Sequence, residues 1–126
     1  MTVVSHIYLF GALAAGIASQ FLIKSRVSLL EAKSAGTGPF DFILLGLLDF
    51  GVWLAMALSF GAGLAWMLTL RHLDISYAYP WTAVSYIVVT VGGALFFHES
   101  ISATQVLGLA LICTGIVVSA LGAAGQ

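Results

Sequence analysis

The sequence predicts an all-α integral membrane protein, with four transmembrane helices and a short interfacial helix between the first and second. Hydrophobic residues fill 61% of the 126 positions and charged residues only 7%, with a mean hydropathy of +1.12. Such a chain has too little polar surface to face water. Its apolar runs fall over residues 4–24, 51–71, 76–97 and 103–123, each near the ~20 residues that a helix needs to cross the bilayer core. These spans account for most of residues 1–126, so a single four-helix domain is expected.

The first span carries an unusual polar strip. Gly16, Gln20 and Lys24 follow one another at four-residue steps, which puts them on one helical face and ends the strip in a cation. Arg26 follows where the helix leaves the bilayer. A strip of this kind suits an anionic lipid headgroup; the competing reading is a lysine that snorkels at a helix end, with or without an ion pair to Glu99. The stretch has no basic leader and no convincing cleavage site, so it is expected to be a retained span rather than a signal peptide.

From Phe40 to Leu70 the apolar pattern is too long for one bilayer thickness at 1.5 Å per residue. Splitting it at Asp49 leaves residues 39–48 as a short helix in the interface, with Phe40, Phe42, Ile43, Leu44 and Leu47 in lipid and Asp41 toward water. A single long tilted span is the alternative.

The third span contains Pro80, which removes a backbone donor and is expected to kink the helix and open a pocket. On the same helix Tyr79, Thr82, Tyr86, Thr90 and Gly93 recur at three- and four-residue steps, a polar and aromatic face opposite Ile87, Val88 and Val91. Tyr77 and Trp81 read as an interfacial aromatic belt. The consecutive Gly92 and Gly93 read as a close helix contact.

Ser102 and Gln105 form a capping-box signature that starts the fourth span. Within it Gly108, Gly115 and Gly122 repeat every seven positions, with Ser119 between the last two. Small residues in a stripe let helices approach closely, either between two copies or paralogues in a dimer or within one chain.

Charge and cysteine content exclude other classes. The net charge of −1 argues against nucleic acid as a partner, and the four Lys and Arg make no polybasic run. Cys113 is the only cysteine and reads as core filler, without a disulfide or a metal site. No metal cluster, nucleophile–base set or phosphate-cradling loop is evident, so neither catalysis nor a cofactor is expected.

Ile7-Tyr8-Leu9, Ser19-Gln20 followed by Lys24, Ala78-Tyr79-Pro80-Trp81, Phe97-His98-Glu99 and the run from Gly108 to Ile116, in that order, resemble the drug/metabolite transporter superfamily at its four-helix size, the small-multidrug-resistance-like proteins. Drug exporters of that group couple proton and cation through a glutamate in the middle of the first helix. The matching position here is Gly16, and no acid remains in that span. A buried carboxylate is what would attract a lipophilic cation. What the chain retains resembles the subunits proposed to flip aminoarabinose linked to undecaprenyl phosphate. The resemblance implies a flippase for a polyprenyl-phosphate lipid, free or sugar-linked, in a bacterial inner membrane, as a homodimer or a heterodimer with a paralogue. Lys24, Gln20, Arg26, Tyr79, Tyr86, Thr90 and Glu99 are the candidate substrate-binding residues, and Gly108, Gly115, Ser119 and Gly122 the candidate dimer contact.

Lys24, Arg26 and Lys33 lie on one side of the membrane and Arg71 on the other, which favours cytoplasmic first and third loops. The excess is small enough for dual insertion. Two other functions compete: export of small cations, for which Asp49, Asp74 and Glu99 sit near span ends rather than at midplane, and a non-transporting accessory subunit that needs only the packing stripe.

Overall fold

A computed structural model describes residues 3–125, so residues 1, 2 and 126 of the expected domain lie outside it. The described residues form five helices, α1 (Val3–Lys33), α2 (Pro39–Leu48), α3 (Phe50–Leu70), α4 (Ile75–Phe97) and α5 (Ala103–Ala124). Four of them, all but α2, are long and apolar enough to cross a membrane. At 31 residues, α1 spans about 46 Å at 1.5 Å per residue, well beyond the ~30 Å of hydrocarbon. The helix therefore continues past Lys24, and its later turns carry Arg26, Glu31 and Lys33.

The break expected at Asp49 is present. This residue leaves helical geometry at φ −87° and ψ 122°, and its carboxylate accepts a 3.1 Å hydrogen bond from the Val52 N–H. It thereby satisfies one of the orphan donors that open α3. A single long second span is excluded. In α2, Phe40, Ile43, Leu44 and Leu47 are exposed, as an apolar outer face requires. Phe42 differs from the expectation: it turns toward the end of α1, beside Glu31, Ser34 and Thr37.

Helix α1 is the hub. It packs most extensively along α3 and also meets α4 and α2, whereas α5 touches α4 alone among the described residues. The α1–α3 seam is close because small residues line it: Ala12 and Ala55 are buried, and the buried Ser19 hydroxyl donates to the Ala55 carbonyl at 3.0 Å. Where hydrocarbon surrounds the bundle, helices associate through such packing and hydrogen bonding, not through the hydrophobic effect. Near one end, Leu9 of α1, Leu73 of the α3–α4 turn and Ala78 of α4 form a buried cluster, with Leu13, Trp66, Leu70, Tyr77 and Trp81 against it.

Helix α4 runs unbroken through Pro80. The cavity beside that proline, toward Ile116 and Ser119 of α5, is only about 20 Å³, so the roomy cleft expected there lies elsewhere. Helix α5 starts with the full capping box: the Gln105 N–H donates to the Ser102 hydroxyl at 3.2 Å, and the Ser102 N–H to the Gln105 side-chain carbonyl at 2.8 Å.

If the Ser19 bond ties α1 to α3, Ser19→Ala should lower the unfolding free energy by about 0.6–1.5 kcal/mol, the range of hydrogen bonds between membrane helices. Ser28→Ala is the control, because that hydroxyl bonds only the Lys24 carbonyl of its own helix. It should change stability by less than about 0.5 kcal/mol in reversible unfolding from mixed micelles.

Candidate functional site

Two helices build the site. Along the α1–α4 seam a cleft of about 400 Å³ is lined by Ala12, Leu13, Gly16, Ile17 and Gln20 from α1 and by Thr82, Ser85, Tyr86 and Val89 from α4. The four-residue spacing of Gly16 and Gln20 puts both on the cleft side of α1, and the three- and four-residue spacing of Thr82, Ser85, Tyr86 and Val89 does the same for α4. The polar side chains of the cleft are an amide and hydroxyls; no carboxylate lines it.

At the end of the seam the Lys24 Nζ lies 2.8 Å from the Glu99 Oε1, with the two side chains 48% and 51% exposed. This pair depends on how α4 ends. His98 adopts a left-handed conformation at φ 54°, and its N–H and that of Glu99 both reach back to the Gly93 carbonyl. A left-handed cap of this kind reverses the chain; histidine tolerates it better than a branched residue. Glu99 is thus folded back over α4, where its carboxylate rests on Gly93 at a distance that any Cβ would reduce to 2.8 Å. The neighbouring Gly92 makes room for the ring of Phe21, which a methyl at that position would overlap. Phe21 is held edge-on by Phe96, with centroids 5.9 Å apart, and stacked on Phe97 at 6.3 Å.

The structure brings together Gly16, Gln20 and Tyr86 in the cleft, and Lys24 with Glu99 at its end. Other expected residues face elsewhere. Arg26 turns to α3, where its Nε stands 3.7 Å from the Asp49 Oδ1 over the bare backbone of Gly51. Tyr79 packs edge-on against Trp66, with centroids 6.2 Å apart, and is not a wall of the cleft. The Thr90 hydroxyl donates within α4 to the Tyr86 carbonyl at 2.8 Å and is likewise not part of the cleft lining. On α5 a Cβ built at Gly108, Gly115 or Gly122 meets nothing within 4 Å, and Gly115 and Gly122 are exposed; Ser119 lines the small cavity against α4. Periodicity identified the Gly16–Gln20–Lys24 face but missed Ser85 and Phe21. Phe21 stands three residues before Lys24 and opposite a glycine pair, and that spacing was the available signal.

A profile of the Small Multidrug Resistance protein family matches residues 44–112, more than half of the chain. Similar proteins named probable 4-amino-4-deoxy-L-arabinose-phosphoundecaprenol flippase subunit ArnE occur in several bacteria. The protein of Pseudomonas syringae pv. syringae (strain B728a) is 37% identical over 65 residues, covering 52% of this chain and 60% of that protein. That of Pseudomonas savastanoi pv. phaseolicola (strain 1448A / Race 6) is 35% identical over 78 residues, or 61% and 68% of the two chains. That of Aeromonas salmonicida (strain A449) is 40% identical over 68 residues, or 52% and 60%. The chain thus spans about three fifths of the length of the curated relatives it matches. No solved structure matches it.

The exposure of Lys24 and Glu99 implies that their pairing contributes little to the fold. Exposed ion pairs are worth about 0.2–1 kcal/mol. A double-mutant cycle with Lys24→Ala and Glu99→Gln, read from unfolding in mixed micelles, should find the two substitutions close to additive.

Proposed function

The chain belongs to the Small Multidrug Resistance protein family, and from that premise we propose that it moves an anionic polyprenyl-phosphate lipid, free or sugar-linked, from one face of a bacterial inner membrane to the other. The single observation that carries this reading is a cleft that sets one amide and three hydroxyls in an otherwise apolar wall, with no carboxylate among the described residues that line it, and that ends beside an exposed lysine. The printed names of the relatives, which describe flipping of an aminoarabinose-phosphoundecaprenol, supply the substrate class.

The chemistry follows from the charges. A lipid phosphate sits at headgroup depth, and the Lys24 ammonium neutralises it there through charge-assisted hydrogen bonds. In the structure the Glu99 carboxylate pairs with that ammonium. The carboxylate is exposed, so an arriving phosphate exchanges with it without leaving a buried charge unpaired. A sugar attached to the phosphate then finds the Gln20 amide and the Thr82, Ser85 and Tyr86 hydroxyls in the cleft. Thr82 already donates to the Tyr79 carbonyl, which leaves its oxygen to accept from the sugar. Arg26 contributes as a second cation at the same depth on the α3 side, and Tyr79 and Thr90 support the α4 face. Gly16 is the reason to set proton-coupled export of cations aside: in the middle of the first span it offers no proton to exchange.

A dimer fits this account, either with a second copy or with a paralogue. Helix α5 leaves most of its surface without a partner, and the Gly108, Gly115 and Gly122 positions, with Ser119 close by, let a second helix approach closely. We place α2 in the interface, where its exposed apolar side chains meet lipid.

Transport in proteoliposomes tests the lysine. Lys24→Ala should slow flipping of a sugar-linked polyprenyl phosphate at least about tenfold, the loss expected when a charge-assisted bond is removed. Lys24→Arg should retain part of the rate, since charge is kept and geometry altered. Gly16→Glu should also impair transport by adding a midplane acid. An unchanged rate in Lys24→Ala would reduce the residue to a snorkelling anchor.

A further inference from the structure

We infer that an apolar groove on the outer side of α1 and α4 seats the first isoprenyl units of the lipid whose phosphate is held at Lys24, an inference that rests on the function proposed above. The groove measures about 350 Å³, and Phe21, Val88, Val91, Gly92, Leu95 and Phe96 form its walls. No polar side chain enters it.

Its place beside the cation selects the occupant. Phe21 stands three residues before Lys24 on α1, hence on nearly the same face. Phe96 comes just before the left-handed turn that carries Glu99, and Gly92 adjoins the Gly93 on which that carboxylate rests. The groove therefore opens within about one helical turn, roughly 5.4 Å, of the ion pair. A tail is bonded to its phosphate through a single oxygen, so its first carbons must leave Lys24 through an immediately neighbouring space. The cleft and the groove both lie beside Lys24. Hydrocarbon in the cleft would cover the Gln20 amide and the Ser85 and Tyr86 hydroxyls and deprive them of partners; in the groove it covers nothing polar. Gln20 and Phe21, adjacent in sequence, face the two compartments: sugar on one side of α1 and tail on the other.

The wall chemistry favours an isoprenoid over a saturated acyl chain. Inside a bilayer no hydrophobic gain separates protein from lipid, so a seat is selected by van der Waals fit. Phe21 and Phe96 present flat rings locked by mutual contact and by Phe97. A trisubstituted alkene is planar and methyl-branched, so it lies against such rings with fewer torsions to freeze than a saturated chain.

The experiment compares ligands that differ only in tail, using the purified full-length chain in detergent micelles. Undecaprenyl phosphate should bind at least about tenfold more tightly than isopentenyl phosphate, a gap of about 1.4 kcal/mol. Val88→Trp, which fills the groove, should erase most of that gap and leave isopentenyl phosphate binding unchanged. Leu95→Trp alters a side chain that is 68% exposed and so perturbs packing least; it should do the same and decides the matter if Val88→Trp misfolds. Retention of the full gap in Leu95→Trp overturns the inference. So does an equal loss for a phosphatidic acid with saturated chains, which would make the groove a general acyl seat. Failure of the underlying function reads differently: Lys24→Ala would then bind undecaprenyl phosphate and isopentenyl phosphate as the parent chain does, whatever the tryptophan variants show.

Discussion

Hydrocarbon offers no hydrogen bonds, so each polar group on a membrane helix has to find its partner on another part of the protein or at the interface. Helix α1 carries much of this burden, and the fold is arranged around it. Ser19 is answered by the Ala55 carbonyl on α3, Arg26 by the carboxylate that caps the same helix, and Lys24 by Glu99 beyond the end of α4. The first two partners lie on the α3 side and tie the bundle together. The third lies on the α4 side, where the seam opens into a cleft, and both side chains of that pair are about half exposed.

That opening follows from side-chain size. On the α3 side, small residues and a buried serine bring the backbones together. On the α4 side the seam opens into a cleft that Gly16 helps to line, while Gly92 and Gly93 admit Phe21 and the Glu99 carboxylate. The aromatic ring then lies between a cleft that carries an amide and hydroxyls and a groove that carries none, both next to the same cation. An amphiphile with a charged link between a sugar and a hydrocarbon tail has that order of chemistry. Helix α5 stays outside this arrangement and keeps a glycine-bearing surface that no other helix covers among the described residues.

Much of this was legible from residue spacing. The four spans, the division at Asp49, the capping box at Ser102 and the Gly16–Gln20–Lys24 face each rest on a local rule, and local rules survive folding. The direction in which long side chains turn is not local. Arg26 follows Lys24 by two residues, which on a helix carries it to a different face, and only the packing of α1 between α3 and α4 decides that this face meets Asp49. Tyr79 shares a periodic face with Tyr86, yet the proximity of Trp66 draws its ring to α3. The proline suggested a pocket at its own position, but Ile116 and Ser119 of α5 pack close there, and the larger cleft follows the glycine on α1. Phe21 was hidden among other apolar residues because its significance depends on the glycine that faces it.

The central claim is that this member of the Small Multidrug Resistance protein family recognises an anionic lipid phosphate and not a lipophilic cation. The most direct test is the thermal stability of the purified chain with undecaprenyl phosphate and, separately, with a quaternary ammonium dye. A ligand at about one hundred times its Kd stabilises the folded state by about 2.7 kcal/mol. The account predicts a rise in Tm with undecaprenyl phosphate and none with the dye; stabilisation by the dye and not by undecaprenyl phosphate would contradict it.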